Sequence, residues 1–201
     1  MSGVRRPCSV GALVLAAFVV ALGLAACSSP DPVLYNVATA PGAVRVGGPK
    51  IVLLHQVALA RYLERSQIVR SSENYRLAVM ENDWWGEPLG AMLSRVLIEE
   101  LSQRLPQTTV LLETGAVSAR PDATIELNIE RLDENAQGDL VLQAQAAVRY
   151  TDQKQPTLRS FRFTVRPKGP GVPDEVAAIS TAVGELADGI APMLAIGPRA
   201  L

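Results

Sequence analysis

ATIELNIERLDENAQGDLVLQAQAAVRY, residues 123–150, is the stretch of sequence that decides the fold. Apolar residues alternate with polar ones on both sides of a polar segment at residues 135–139, and they are Ile125, Leu127, Ile129, Leu140, Leu142, Ala144, Ala146 and Val148. Because successive side chains of a strand point to opposite faces, this alternation predicts two half-buried strands. The polar segment predicts a turn that makes them antiparallel neighbours.

Further strand-like segments extend this pair. A third alternating segment begins at Phe161, which predicts an antiparallel meander of three strands. Short apolar segments predict additional strands at residues 33–37, 50–59 and 108–112, and a hairpin over residues 61–80. Most of the predicted sheet is therefore antiparallel.

Two of these segments carry specific expectations. The hairpin is expected to turn at residues 71–74, with Tyr75 and Leu77 alternating in its second strand. Segment 50–59 has branched residues on both faces, which predicts a central strand covered on two sides. His55 lies in that segment and is the only histidine of the chain, so we expect a hydrogen-bonded structural residue rather than a catalytic base.

The first predicted helix follows Trp84 and Trp85. Pro88 suits the first helical position, where its missing N–H costs nothing, and apolar residues then recur every three or four positions to Leu105. Pro106 ends the helix. The polar positions outside the apolar stripe are expected to face water, and they are Arg95, Glu100, Gln103 and Arg104.

A second helix is predicted over residues 173–194, where acidic residues in the first turn favour the positive end of the helix dipole. Gly184 and Gly189 make it a weak helix alone, so it depends on docking. The sequence therefore predicts one α+β domain at residues 33–196, a two-layer fold with a mostly antiparallel sheet and two helices packed on one face.

The composition excludes several classes of function. The formal net charge of the 201 residues is −1, with acids and bases interspersed, so nucleic-acid binding is not expected. Cys8, Cys27 and His55 are the only cysteines and histidine, too few for a disulfide framework or a zinc site of cysteines and histidines. Motifs of common nucleophilic, nucleotide-binding and metallopeptidase sites are missing from the sequence. We expect neither enzymatic activity nor a cofactor.

Residues 1–26 have the layout of a lipoprotein signal peptide. Arg5 and Arg6 precede an uncharged run, residues 10–26, that is shorter than the roughly 20 residues a membrane span needs. Leu24, Ala25 and Ala26 precede Cys27, and this pattern resembles the bacterial lipobox. The resemblance implies cleavage before Cys27 and an acyl lipid on its sulfur. The alternatives are an ordinary signal peptide with an incidental cysteine and a permanent transmembrane helix.

Residues 27–32 are predicted to be the lipidated cysteine and a short tether. The five residues after Cys27 span at most about 17 Å, so the domain would stay close to its membrane. Two or more acyl chains make such an anchor stable. Ser28 follows the cysteine, whereas an aspartate there would resemble an inner-membrane retention signal. We therefore expect a cell-envelope protein anchored at the outer membrane and facing the periplasm.

Two separated motifs resemble the auxiliary lipoproteins of MCE-type ABC transport systems, the PqiC-like family. The matching positions are Tyr62-Leu63, Arg65, Gln67-Ile68-Val69, Trp85 and Glu87-Pro88-Leu89. Ala60 and Ser66 stand where the family pattern has prolines, and Gly86 where it has alanine. The resemblance spans the mature domain.

The resemblance implies a lipoprotein that docks the periplasmic conduit of a lipid-trafficking system at the outer membrane and hydrolyses no ATP. The partners would be an MCE-domain protein, the membrane and, since one small domain offers little capture surface, further copies of the chain. The candidate partner contacts are Tyr62, Arg65, Gln67, Trp84 and Trp85. The hairpin motif is alternatively a structural signature of the fold, and the tryptophans a core residue beside a surface aromatic.

Two other functions stay open. One is a structural or assembly-factor lipoprotein of the outer membrane without a transport role. The other is a lipid-anchored hydrolase, which is disfavoured because no nucleophile and base can be named.

Overall fold

Two helices and a nine-stranded sheet form the part of the chain that the structure, a computed structural model, describes: residues 31–114, 117 and 119–195. The lipobox residues Leu24, Ala25 and Ala26, and Cys27 itself, lie outside the described residues. The elements in chain order are β1 (Val33–Tyr35), β2 (Ile51–Leu54), β3 (Ala58–Leu59), a 3₁₀ helix (Arg61–Leu63), β4 (Gln67–Ser71), β5 (Ala78–Trp85), α1 (Leu89–Arg104), β6 (Thr109–Leu112), β7 (Ala123–Glu134), β8 (Leu140–Tyr150), β9 (Thr157–Val165) and α2 (Val172–Ala195).

The sheet is mixed, with strand order β1-β5-β4-β7-β2-β6. β3 also pairs with β7, and β8 joins β7 to β9. The β7–β8 and β8–β9 pairings are antiparallel and long, and β4–β5 is antiparallel as well. The parallel pairings each join at most four residues of a strand. The α+β class and the predicted meander are confirmed, and antiparallel residue pairs predominate because the longest strands belong to the meander.

Both helices contribute side chains to one buried cluster with the apolar face of β7 and β8. α2 contacts β8 and β9, α1 contacts β6, and the helices contact each other. A Cβ atom at Gly189 would lie 2.5 Å from a ring carbon of Phe161. Since only glycine leaves room for that ring, the residue that weakens α2 as an isolated helix is also what lets it dock closely.

Segment 50–59 is not one strand covered on two sides. β2 lies between β6 and β7, which makes it central, but it ends at Leu54. Its second face is only half-buried because both helices cover the other one. His55 follows the end of β2, and its Nδ1 lies 3.2 Å from Oε2 of Glu113. His55 therefore has a polar partner, as predicted. It lies after the end of β2, however, and not within a strand as predicted.

The hairpin over residues 61–80 exists with different bounds. β4 and β5 are antiparallel, but residues 61–63 form the 3₁₀ helix and precede it. Tyr75 and Leu77 were expected in the second strand and instead precede it, exposed to solvent. The reason is a tight turn in which Asn74 and Tyr75 take left-handed backbone conformations, with φ of 55° and 61°. β5 then continues through both tryptophans.

Glu100 and Arg104 are fully buried, which corrects the prediction that they face water. Arg95 and Gln103 are exposed as predicted, and α1 begins one residue after Pro88. The apolar stripe of α1 identified the side that meets the sheet, but α2 covers a second, polar side of the same helix. Arg104 Nε donates a hydrogen bond of 2.7 Å to Asp188 of α2.

Candidate functional site

A groove of about 680 Å³ lies beside the N-terminal end of α1. Residues 56–59, 64–66 and 84–91 line it. Its walls are therefore formed by the segment after β2, the residues just before β4, the end of β5 and the first residues of α1. Three of the five predicted partner contacts, Arg65, Trp84 and Trp85, are among the lining residues.

Close backbone approaches build this groove. The N–H of Trp85 donates to the carbonyl of Ser66 at 2.7 Å, and the N–H of Gly86 donates to the carbonyl of Tyr35 at 2.9 Å. A Cβ atom at Gly86 would lie 2.7 Å from Asn36 Oδ1, so the glycine permits the tight turn into α1. These contacts fix where β5 ends.

Ser94 of α1 links the helix to the segment after β2, which lines another side of the groove. The N–H of Val57 donates to Ser94 Oγ at 2.9 Å, and that hydroxyl donates to the carbonyl of Gly90 at 2.7 Å. A Cβ atom at Gly90 would lie 3.0 Å from the Val57 carbonyl oxygen. Helix and extended segment thus touch along their backbones, so the groove has a rigid floor.

The side chains of the groove combine an apolar floor with a rim of both charges. Trp85 is 7% exposed and belongs to the core, whereas Trp84 is half-buried and donates its indole N–H to the Glu81 carbonyl at 2.9 Å. Arg65 is exposed, and Glu87 accepts hydrogen bonds of 2.7 and 3.3 Å from Arg95. An anchored indole beside an arginine is typical of the residues that dominate protein interfaces.

Tyr62 and Gln67, the other two predicted contacts, lie outside the groove lining. The Tyr62 hydroxyl donates to Asp133 Oδ2 at 2.7 Å, and burial together with this bond raises the pKa of Tyr62 above its ordinary value. Gln67 is half-buried in β4 and pairs with Trp84 in the β4–β5 ladder. Tyr62 therefore links the 3₁₀ helix to β7, and Gln67 belongs to the β4–β5 ladder.

A buried ionic cluster that was not anticipated from the sequence joins α1, α2 and the loop before β2. Arg104 contacts Glu100 and Asp188 and donates to the Gly184 carbonyl at 3.0 Å. The N–H of Ala40 donates to Glu100 Oε1 at 2.6 Å. The four-residue spacing of Glu100 and Arg104 was a usable signal, because oppositely charged residues so spaced on a helix are neighbours.

A second polar cluster lies where β4, β7 and α2 meet. Arg131 bridges Glu73 and Asp133 at 2.6 and 2.8 Å, and Arg70 Nε donates to Glu175 Oε2 at 3.1 Å. The other carboxyl oxygen of Glu175 is buried and has no partner among the described residues. Burial raises the pKa of Glu175 to about 7, against the opposing effect of Arg70.

Residues 31–114, 117 and 119–195 contain no group of three or more His, Cys, Asp or Glu side chains that could hold a metal ion. In the same ranges no helix is long and apolar enough to cross a membrane.

The comparisons with known proteins agree with this fold. A family model described as "ABC-type transport auxiliary lipoprotein component" matches residues 34–191. A crystal structure of an uncharacterized protein has a TM-score of 0.67 at 18% identity and covers 81% of this chain and 98% of its own. A Xanthomonas campestris protein assigned to the DUF330 family has a TM-score of 0.63 at 16% identity and covers 83% and 93%. No curated relative matches.

Proposed function

Because the chain belongs to the family of ABC-type transport auxiliary lipoprotein components, we propose that it is the lipid-anchored docking subunit of an MCE-type system for lipid traffic between membranes. Cys27 carries the acyl lipid, and the outer membrane holds the domain on its periplasmic side. The family description supports an envelope lipoprotein associated with an ABC transporter. It also disfavours an enzyme, since it names an auxiliary component.

The groove beside α1 is the surface that would receive the MCE-domain protein, and its geometry is the observation that carries this role. Val57, Leu59 and Leu89 line it with apolar surface, while Arg65 and Glu87 supply opposite charges. A concave apolar surface with a polar rim suits a protein segment that presents apolar and charged side chains together. Trp84 is only half-buried, so a partner can cover the rest of its indole.

Several copies of the chain are expected to act together. A single groove on a small tethered domain offers one contact, whereas a homo-oligomer would offer several contacts to the conduit. Linked contacts of this kind raise the effective affinity without any new interaction.

Site-specific cross-linking in membranes tests the proposal. A photo-reactive amino acid replaces Trp84 or Arg65 in the full-length protein, produced together with its transport system. The matched control places it at Glu130, which is exposed on β7 and absent from the groove lining. We expect cross-links to the MCE-domain protein from residues 84 and 65 and not from residue 130.

Other cross-linking results would contradict this role. Recovery of an outer-membrane barrel protein in place of the MCE-domain protein would favour the structural or assembly function. Equal cross-linking from all three positions, or no MCE-domain protein from positions 65 and 84, would remove the groove as the docking site.

A further inference from the structure

The loop that joins β4 to β5 carries an exposed aromatic side chain at a residue with a strained backbone conformation. Tyr75 is fully exposed and Leu77 is 42% exposed. Tyr75 has a φ of 61°, which is uncommon for a bulky residue. We call residues 74–77 the hairpin tip. Strain of this kind persists only where the surroundings impose it, and it is found most often at functional segments.

Hydrogen bonds around Glu73 hold the hairpin tip in shape. The N–H of Arg76 donates to the Glu73 carbonyl at 3.1 Å, and the N–H of Glu73 donates to Ser71 Oγ at 3.2 Å. Arg131 contacts the Glu73 carboxylate at 2.6 Å. The turn is thus fastened to β7, while Tyr75 projects from it.

The first strand starts on the side of the sheet that carries the hairpin tip. β1 runs parallel to β5, with Val33 opposite Asp83, so the N-terminal end of β1 faces the end of β5 that carries the hairpin tip. Leu77 precedes Asp83 by six residues, and Cys27 precedes Val33 by six. Six extended residues span at most about 20 Å, which is also the strand length between Leu77 and Asp83. A lipid on Cys27 can therefore reach the level of the hairpin tip.

Three exposed cations lie at this end of the sheet. Ser71 pairs with Glu134 and Leu140 pairs with Val165, so the segment after β9 lies at the same end as the hairpin tip. The exposed charged residues there are Arg76, Arg166 and Lys168. The acids at this end are at least half-buried: Glu73 contacts Arg131, Glu175 contacts Arg70 and Asp139 contacts Arg166, while Glu134 and Asp174 are half-buried. Two exposed acids lie farther away along the chain: Glu81 is four residues after Leu77, roughly 13 Å in a strand, and Asp31 is two residues before Val33.

We propose that the hairpin tip is a second membrane contact, in which Tyr75 and Leu77 enter the interfacial layer of the bilayer that holds the acyl chains of Cys27. Arg76, Arg166 and Lys168 face anionic lipid headgroups. Tyrosine is enriched at that depth of a bilayer because its ring is apolar and its hydroxyl is hydrated. The inference rests on the proposed lipidation of Cys27, which supplies the attachment, while the hairpin tip sets the orientation of the domain.

This orientation has a consequence for the groove. Trp84 and Ser66 lie at the other end of the β4–β5 hairpin, about one strand length, roughly 20–25 Å, from the hairpin tip. A domain that stands on its hairpin tip therefore presents the groove away from the membrane, where a periplasmic partner arrives.

Fluorescence of the lipidated full-length protein in vesicles tests the contact. Tyr75→Cys and Leu77→Cys, each labelled with an environment-sensitive fluorophore, are reconstituted in phosphatidylethanolamine–phosphatidylglycerol vesicles. Leu158→Cys is the matched control, since Leu158 is 74% exposed on β9 and pairs with Ala147, toward the other end of β8. We expect an intensity increase of at least twofold with a blue shift at positions 75 and 77, quenching by brominated lipids there, and neither at position 158.

Each other outcome overturns the inference. If labels at 75 and 77 stay as hydrated as the label at 158 while the protein remains membrane-bound, the hairpin tip does not touch lipid, and the proposed docking function is unaffected. If the labels are shielded only when the MCE-domain protein is added, the hairpin tip is a protein contact. If mass spectrometry shows an unmodified Cys27 in the processed protein, the anchor fails and the membrane contact fails with it.

Discussion

The two ends of the β4–β5 hairpin differ in how they expose aromatic residues. At the α1 end, Trp85 is buried and Trp84 half-buried in a groove whose rim carries both charges. At the hairpin tip, Tyr75 is fully exposed at a turn, and its neighbour Arg76 is exposed as well. A concave surface with mixed charges can select one protein shape, whereas a projecting aromatic residue beside a cation suits a surface without fixed shape. One hairpin thus carries two different kinds of recognition surface.

The largest expected effect is at the groove end. Trp85→Ala should lower the free energy of unfolding by about 3–5 kcal/mol, because it leaves a cavity beneath the groove. Urea denaturation measures this loss. Tyr75→Ala is the control from the hairpin tip and should cost nothing measurable. If the two variants lost similar stability, the difference between a built groove and a projecting hairpin tip would disappear.

The free energy of unfolding is expected to depend on pH through Glu175, which contacts Arg70 near the hairpin-tip end of β4. Because the pKa of Glu175 is raised to about 7 from 4.5, the folded state holds its proton more tightly than the unfolded state. The free energy of unfolding should therefore fall as the pH rises from about 5 to 7.5, by up to about 3 kcal/mol. Glu175→Gln should remove most of this fall, and a smaller fall of the same sign should remain because burial also raises the pKa of Glu185. Glu126→Gln, on the exposed face of β7, should leave it intact, and an undiminished fall in Glu175→Gln would contradict the assignment.

Trp84→Ala should separate binding from stability. Its indole is half-buried, so we expect a loss below about 1.5 kcal/mol in unfolding free energy. Binding to the MCE-domain protein should weaken by at least tenfold, as expected of a central interface tryptophan. Titration with the purified partner measures this change. Unchanged affinity would place the docking surface elsewhere.

The smallest expected effect is an increase, and not a loss, in the free energy of unfolding. Tyr75→Gly removes a side chain from a left-handed position and should stabilise the domain by about 0.5–1 kcal/mol, since glycine adopts φ of 61° without strain. The same variant should weaken the membrane contact of the hairpin tip. Thermal unfolding checks the first result. A destabilised Tyr75→Gly would mean that the tyrosine contributes to folding, and the reason offered for its strain would then be wrong.

Periodic patterns predicted the elements well because they report local geometry. The meander, α1 and α2 lie within a few residues of their predicted bounds, since alternation or helical spacing indicates one buried face of each element. The groove was only half anticipated. Of the five predicted partner contacts, Arg65, Trp84 and Trp85 line it, whereas Tyr62 bonds to β7 and Gln67 pairs within the hairpin.

Only the tertiary structure decided which helix and strand faces pack against a second element. The apolar stripe of α1 identifies the side that meets the sheet, but nothing local to Glu100 and Arg104 indicates that α2 will cover them. The left-handed turn at Tyr75 also depends on distant contacts, because Arg131 of β7 holds the Glu73 side chain. The sequence by itself determined the α+β class, the antiparallel meander and the approximate bounds of both helices. The burial of charges, the groove and the exposed hairpin tip depended on how elements distant in the chain pack together.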